Sequence, residues 1–475
     1  MSSVETTAEF TTRSPGATSS GAGIVLLTAG GVLALLATTI VGSTVPALSA
    51  ELGAGASVHW VTTAYLLATA VAIPLGGWAS LRFGVRATWL VGLSVFVVGA
   101  TAAALAPDLG TLVVARGVQG LGGGALEPLM LTAVARAAGP ARMGRVMGVV
   151  AAAMSIGPLA GPVLGGVAAD TVGWRWSLGL VAVLGVAVLV GSVVTVRDAE
   201  RTPVRLDVLG LALLATATST ALVALSRGAQ AGVDARLAGL VALAVLGFAG
   251  FVLVARRRGA GAIVDLGTFR YPGFAPGIAI MALLGLSIYP LFFGLPQYLV
   301  SVAGLSASVA GAMLVPYAVG TLVAMPVAGR LSDRLGAPRP VAAGALVALV
   351  GAVLLVTSGS STPFVVFVLA SLAIGLGLGS IGSPTVSAVY RALPVPLVPS
   401  GSTVLFIGNQ LGGALGVAVL AAILGASGGA DAGGWPAAAG ATPFWLAVVA
   451  ALLVAALAPA LRSPAPSSSD GRPAV

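Results

Sequence analysis

Long apolar runs, each near the roughly twenty residues a helix needs to cross a bilayer, alternate with short polar connections along almost the whole chain. They fall at about 23–48, 58–80, 87–106, 111–136, 144–168, 174–196, 207–226, 236–255, 273–299, 307–330, 340–358, 363–390, 398–424 and 441–461. The pattern predicts an all-α polytopic membrane protein with about fourteen transmembrane helices. The polar ends, 1–22 and 463–475, read by composition as disordered tails. The first of them lacks a basic start followed by an apolar core, so it reads as a polar tail rather than a signal peptide.

Composition agrees with that pattern. The chain of 475 residues is 58% hydrophobic and 8% charged, with a mean hydropathy of +1.07, a balance outside that of soluble domains. Its net charge of +9 resides in the connections, where it sets topology and carries no implication of nucleic-acid binding. Arg82 and Arg86, Arg136, Arg142 and Arg145, Arg197, Arg201 and Arg205, Arg256, Arg257 and Arg258, Arg270, Arg330, Arg334 and Arg339, and Arg391 occupy every second connection. The positive-inside rule then places that side, with both termini, in the cytoplasm of a bacterial-type plasma (inner) membrane. There is no cysteine and one histidine, His59, so no metal site, cofactor or catalytic constellation is expected and the chain does not read as an enzyme. His59 and Trp60 read as an interfacial anchor.

A repeat underlies the spans. GWASLRFG from Gly77 returns as GRLSDRLG from Gly329, and GLGGGALEPLMLTAVAR from Gly120 as GLGLGSIGSPTVSAVYR from Gly375. The ladder Gly157, Gly161, Gly165 returns as Gly408, Gly412, Gly416. Three matches in order, at nearly one offset, predict two six-helix pseudo-repeats, 23–197 and 259–462, with two inserted helices in 198–258. Transporters built this way hold substrate at the midplane between repeats.

Two ionisable residues lie well inside the spans, Arg116 and Glu127, in RGVQGLGGGALEP. A charge at that depth costs several kcal/mol and is a functional hypothesis by default. Helical spacing puts Arg116, Gly120, Gly123 and Glu127 on one face, the charges roughly 16 Å apart along the axis. Burial penalises the ionised carboxyl and a neighbouring arginine or water offsets the penalty, a balance suited to taking and releasing protons near neutral pH. The alternative is a permanently protonated Glu127 hydrogen-bonded within the bundle.

These motifs resemble the major facilitator superfamily, specifically its fourteen-helix drug:proton antiporter branch. The G-x-L-x-D-R-x-G loop signature is met by Gly329, Leu331, Asp333, Arg334 and Gly336, while the first copy keeps Gly77, Arg82, Gly84 and Arg86 but has Leu81 in place of the aspartate. Gly157, Pro158, Gly161, Pro162, Gly165 and Gly166 match the antiporter motif, which in relatives marks exporters and acts as a sealed hinge. Arg116, Gln119 and Gly120 match the R-x-x-Q-G motif. Thr39 and Pro46 fit the first-helix pattern, but Ala37 stands where that pattern has an aspartate and Gly42 replaces its asparagine.

The resemblance implies the major facilitator fold and proton-coupled efflux of small, largely apolar compounds such as drugs or antibiotics, by alternating access. Glu127 and Arg116 are the proton-coupling candidates. Gln119, Tyr65, Tyr289, Gln297, Tyr298, Tyr317, Asn409 and Gln410 are candidates for the substrate cavity, although isolated residues of these types also serve helix packing. The proton gradient drives the cycle with no cofactor, and the partners are a small-molecule substrate and the bilayer, with no nucleic acid. Because the Ala37 and Leu81 positions lack carboxylates, a non-transporting membrane sensor or degenerate relative and an uncoupled facilitator stay open as alternatives.

Overall fold

The structure, a computed structural model, describes residues 21–52, 60–138, 142–197, 205–231, 234–301, 314–359, 362–394, 397–426 and 442–461. These residues form fifteen α-helices and short 3-10 turns. The first seven are α1 (Gly21–Leu52), α2 (Trp60–Phe83), α3 (Val85–Ala104), α4 (Leu109–Ala138), α5 (Met143–Met154), α6 (Ile156–Thr171) and α7 (Trp174–Thr195). Then come α8 (Val208–Ala231) and α9 (Ala235–Arg258), followed by α10 (Phe274–Ser301), α11 (Leu314–Leu335), α12 (Pro338–Val356), α13 (Phe364–Ala392), α14 (Val398–Ala426) and α15 (Thr442–Leu457).

Eleven of the helices are long and apolar enough to cross a membrane. The glycine-rich α4, with Arg116, Glu127 and Arg136, falls outside that set, as do α5, α6 and α8. The fifth predicted span, 144–168, is two helices broken at Ser155. Pro158 explains the break, since it has no amide to bond the Met154 carbonyl four residues back. Apolar side chains cover the outer surface, among them Val91, Val98, Val183, Val194 and Leu246, as lipid contact requires.

Two cores organise the helices. One gathers buried residues of α1–α7 such as Ile40, Trp89, Phe96 and Met130, and takes in Phe274 of α10, Tyr390 of α13 and Leu405 of α14 as well. The other gathers residues of α10–α15 such as Leu291, Phe367, Ile374 and Phe444. Lipid is as apolar as leucine, so close helix packing comes from small residues and backbone contact. In the first bundle Gly120 of α4 lies against the Tyr65 carbonyl of α2, and Thr69 donates to the Gly120 carbonyl at 3.4 Å. In the second bundle Gly375 of α13 lies against the Tyr317 carbonyl of α11, and Thr321 donates to the Gly375 carbonyl at 3.2 Å. Gly84 and Gly336 close the corresponding turns with φ of 88° and 79°, a left-handed backbone that suits glycine.

The bundles meet at their arginine-rich ends. Gly144 of α5 and Gly329 of α11 touch backbone to backbone. Asp333 accepts from the Gly144 and Arg145 amides at 2.8 and 2.9 Å, capping α5 from the other bundle, and from Arg391 at 2.8 Å. Deeper in, Thr132 of α4 and Ser402 of α14 lie 3.2 Å apart, with the Tyr390 hydroxyl 2.8 Å from Ser402. The pair α8 and α9 leans on α2 and α14 through a small apolar cluster around Leu214, Phe251 and Val264, against which Trp78, Val404 and Ile407 pack. Buried Asp207 caps α8 through the Gly210 amide at 2.7 Å and accepts from Arg258 at 2.6 Å, tying the pair together.

Candidate functional site

α4 carries both deep charges because its small residues let α2 and α3 approach on two sides. Gly122 lies against the Phe96 backbone of α3, and Gly120 and Gly124 against α2. Pro128 removes the amide that would bond the Gly124 carbonyl, which loosens the helix ladder beside Glu127.

Spacing puts Arg116 and Glu127 on a common face, yet their surroundings differ. Arg116 is fully buried, 0% exposed. It donates to Gln119 Oε1 at 2.6 Å, to the Ala37 carbonyl at 3.0 Å and to the Val61 carbonyl at 3.4 Å. Its guanidinium sits 4.2 Å from the centroid of the Tyr65 ring. Tyr65 is held in turn by donation to the Ala34 carbonyl at 3.0 Å. Among the described residues no carboxylate lies within ion-pair distance of Arg116. It works as a brace joining α1, α2 and α4, with Gln119 and Tyr65 as its partners.

Glu127 is the one partly exposed position between Gly122 and Thr132, a stretch otherwise buried. Its carboxyl is within electrostatic reach of two phenols, Tyr65 of the first bundle and Tyr289 of the second. The Tyr289 ring packs against Gly413 of α14, where any side chain would displace it. About 7.5 Å further along α4, the Thr132, Ser402 and Tyr390 hydroxyls close the seam toward the arginine-rich end. A carboxyl placed there can hold or give up a proton without breaking an ion pair.

The other candidates separate. Asn409 donates to the Met281 carbonyl at 3.0 Å, joining α14 to α10, and Gln410 beside it is partly buried. Tyr317 is buried in the α11–α13 contact. Gln297 and Tyr298 lie on α10 with side chains outside the described residues, and His59 is outside them as well. Trp60 opens α2 at 53% exposure. Of the antiporter-motif residues, Gly157 and Gly161 pack on α1, where Thr39 donates to the Gly157 carbonyl at 3.3 Å. Gly165 is buried on the same helix, and the side chains of Pro158 and Pro162, with the surroundings of Gly166, lie outside the described residues. Arg82 and Arg334 are exposed at the arginine-rich end, and Arg86 donates to the Val193 carbonyl at 2.7 Å.

Sequence reasoning missed Asp207 and the Thr132, Ser402 and Tyr390 cluster. Asp207 had a signal, an aspartate directly before an apolar run, which is a helix N-cap signature. The hydroxyl cluster had none, because Thr132 lies 270 residues from Ser402 along the chain. Among the described residues no group of acidic and histidine side chains could hold a metal ion.

Comparison with known proteins places this architecture. Residues 27–294 and 277–474 match the sequence profile of the Major Facilitator Superfamily. The Multidrug resistance protein B homolog of Mycobacterium tuberculosis strain H37Rv is 32% identical over 409 residues, which is 83% of this chain and 74% of that protein. The Tetracenomycin C resistance and export protein of Streptomyces glaucescens is 31% identical over 399 residues, 82% of this chain and 73% of that protein. Among solved structures, the human organic anion transporter MFSD10 superposes with a TM-score of 0.66 at 18% identity, covering 93% of this chain and 99% of that one. FucP in the outward conformation gives 0.62 at 14% identity, covering 93% and 99%. At such identities the structural likeness is one of fold. Profile, relatives and fold agree, and the chain belongs to the Major Facilitator Superfamily.

Proposed function

We propose that this protein exports small, largely apolar compounds, drugs or antibiotics among them, in exchange for protons. Two six-helix repeats, 23–197 and 259–462, rock about a midplane cavity, while the two helices of 198–258 are an insertion, for about fourteen spans in all. Both termini and the arginine-rich end face the cytoplasm of a bacterial inner membrane. The matching glycine contacts of α2–α4 and α11–α13 support the repeat, and the export named for the tetracenomycin relative supports the direction.

The observation that carries the reading is Glu127: a partly exposed carboxyl at mid-helix with no ion-pair partner among the described residues, within electrostatic reach of a phenol from each bundle. Hydroxyls and the Asp333 cap close the cytoplasmic side beneath it, so the proton reaches it from outside in this state. Release to the cytoplasm follows once the seam opens, and outward substrate movement completes the exchange. Arg116 does not reach Glu127; its fixed positive charge in the α1–α2–α4 brace orders Tyr65 and the polar path beside the carboxyl. Names of relatives that specify resistance and export weigh against the non-transporting alternative.

The test uses inside-out vesicles holding a respiration-driven pH gradient reported by a pH-sensitive dye. A panel of lipophilic cations and neutral antibiotics should collapse the gradient with the wild type and leave it intact with Glu127→Gln. Collapse that survives the substitution removes Glu127 from the proton path.

A further inference from the structure

The arginine-rich seam holds a polar cavity of about 250 Å³ lined by Arg142, Arg145, Arg330, Asp333 and Arg334. Its volume is several times the roughly 30 Å³ that one water occupies. Four guanidinium groups thus face a single carboxylate. That carboxylate is already engaged, by the Gly144 and Arg145 amides and by a fifth arginine, Arg391. The four lining arginine side chains make no ion pair among the described residues, and Arg142, Arg145, Arg330 and Arg334 are all exposed to the cavity or its mouth.

Topology alone does not account for this. The positive-inside rule acts on each connection separately and would be met by arginines pointing anywhere into solvent. Here Arg142 and Arg145 come from the first bundle, Arg330 and Arg334 from the second, and they converge where Gly144 and Gly329 bring the two backbones into contact. Closing the seam therefore gathers like charges into one cavity, which is unfavourable unless an anion joins them. The α5 N-terminus adds its positive end to the same place. Planar guanidinium forks from several directions suit a tetrahedral oxyanion, and basic pockets between membrane helices recognise phosphate head groups.

We infer that this cavity is a phosphate-binding site shared by the two bundles, occupied by the phosphate of an anionic phospholipid or by free phosphate, and that its occupant holds the arginine-rich end closed. The site is independent of what the protein carries. An occupant bridges Arg142 and Arg145 to Arg330 and Arg334, and it must leave before the bundles part at this end.

The experiment measures thermal unfolding of the detergent-solubilised full chain with dioleoyl phosphatidylglycerol, dioleoyl phosphatidylcholine or inorganic phosphate added. Wild type should gain several degrees with phosphatidylglycerol over phosphatidylcholine. The gain should vanish in Arg142→Gln/Arg330→Gln and persist in Arg256→Gln/Arg257→Gln, which removes two exposed charges elsewhere on the same end. An equal gain with inorganic phosphate assigns the occupant to the soluble pool; a gain with the lipid alone assigns it to the membrane. If the double variant is too unstable to purify, Arg334→Gln alone must reduce the gain. Absence of any gain in wild type, or equal loss in the Arg256 and Arg257 control, overturns the site.

Discussion

The two copies of the loop signature end in different ways of joining the bundles. At the second copy, Asp333 caps α5 across the seam and Gly329 meets Gly144 backbone to backbone. At the first copy, Leu81 has no acceptor to offer, and Gly77 faces Thr403 and the Pro399 carbonyl of α14 more loosely. The need for a cap is also smaller there, because Pro399 in the first turn of α14 has no amide to satisfy. Instead α8 and α9 lie over that side, with Trp78, Val404 and Ile407 against their apolar cluster. One seam is joined by charge and capping, which a competing anion or a change of protonation can disturb. The other is covered by a helix pair that meets it through apolar side chains, a contact that neither disturbs directly. The lost aspartate at Leu81 therefore does not leave an open seam; it leaves one joined differently.

Breaking the polar seam should have the largest effect. Asp333→Asn removes a charge-assisted acceptor for two amides and Arg391, worth about 2 kcal/mol, or roughly thirtyfold in the closed population. Spin labels on exposed Arg82 and Arg339, one in each bundle, would report it as growth of a long-distance population by double electron–electron resonance. Trp78→Ala should cost less, about 1 kcal/mol, because in lipid only packing is lost and not burial from water; thermal unfolding in detergent checks it. Leu81→Asp should move either measurement by less than about 0.5 kcal/mol, since Pro399 supplies no donor for the new carboxylate. A large gain from Leu81→Asp would mean that the two seams are equivalent after all.

A further modest effect belongs to the opposite end, where Glu51 accepts from the Trp174 indole at 2.7 Å and from Arg175. Arg175, and then Trp174, hold the Glu51 carboxyl below its usual range. A depressed folded-state value means the tie stabilises the protein above the unfolded-state value, about 4.3, and is lost as pH falls through the lower, folded one. The side chains are 36% and 49% exposed, so solvent screening holds the contribution to at most about 1 kcal/mol. Unfolding of wild type and Glu51→Gln should differ at pH 6 and converge in acid.

Much of this was legible in the sequence, and the limits have physical causes. Apolar run length located nearly every helix, because bilayer thickness fixes it. It missed the break at Ser155, since two prolines in a span mark a bend without saying whether the helix continues. Spacing placed Arg116 and Glu127 on one face of α4 but could not tell that Arg116 turns its donors to the Ala37 and Val61 carbonyls while Glu127 stays partly exposed. Periodicity reports direction around a helix; which neighbour lies there depends on long-range packing. For the same reason Tyr289 was one name among several until α10 and α14 set its ring on Gly413.

The central claim is that Glu127 carries the coupled proton. Its most direct test is a pair of assays on proteoliposomes with a substrate found in the vesicle screen: accumulation driven by an imposed pH gradient, and counterflow exchange with no gradient. Glu127→Gln should lose gradient-driven accumulation and keep counterflow, because the cavity and the rocking motion remain while the proton has no site. A variant that still accumulates substrate against the gradient as the wild type does would contradict the account.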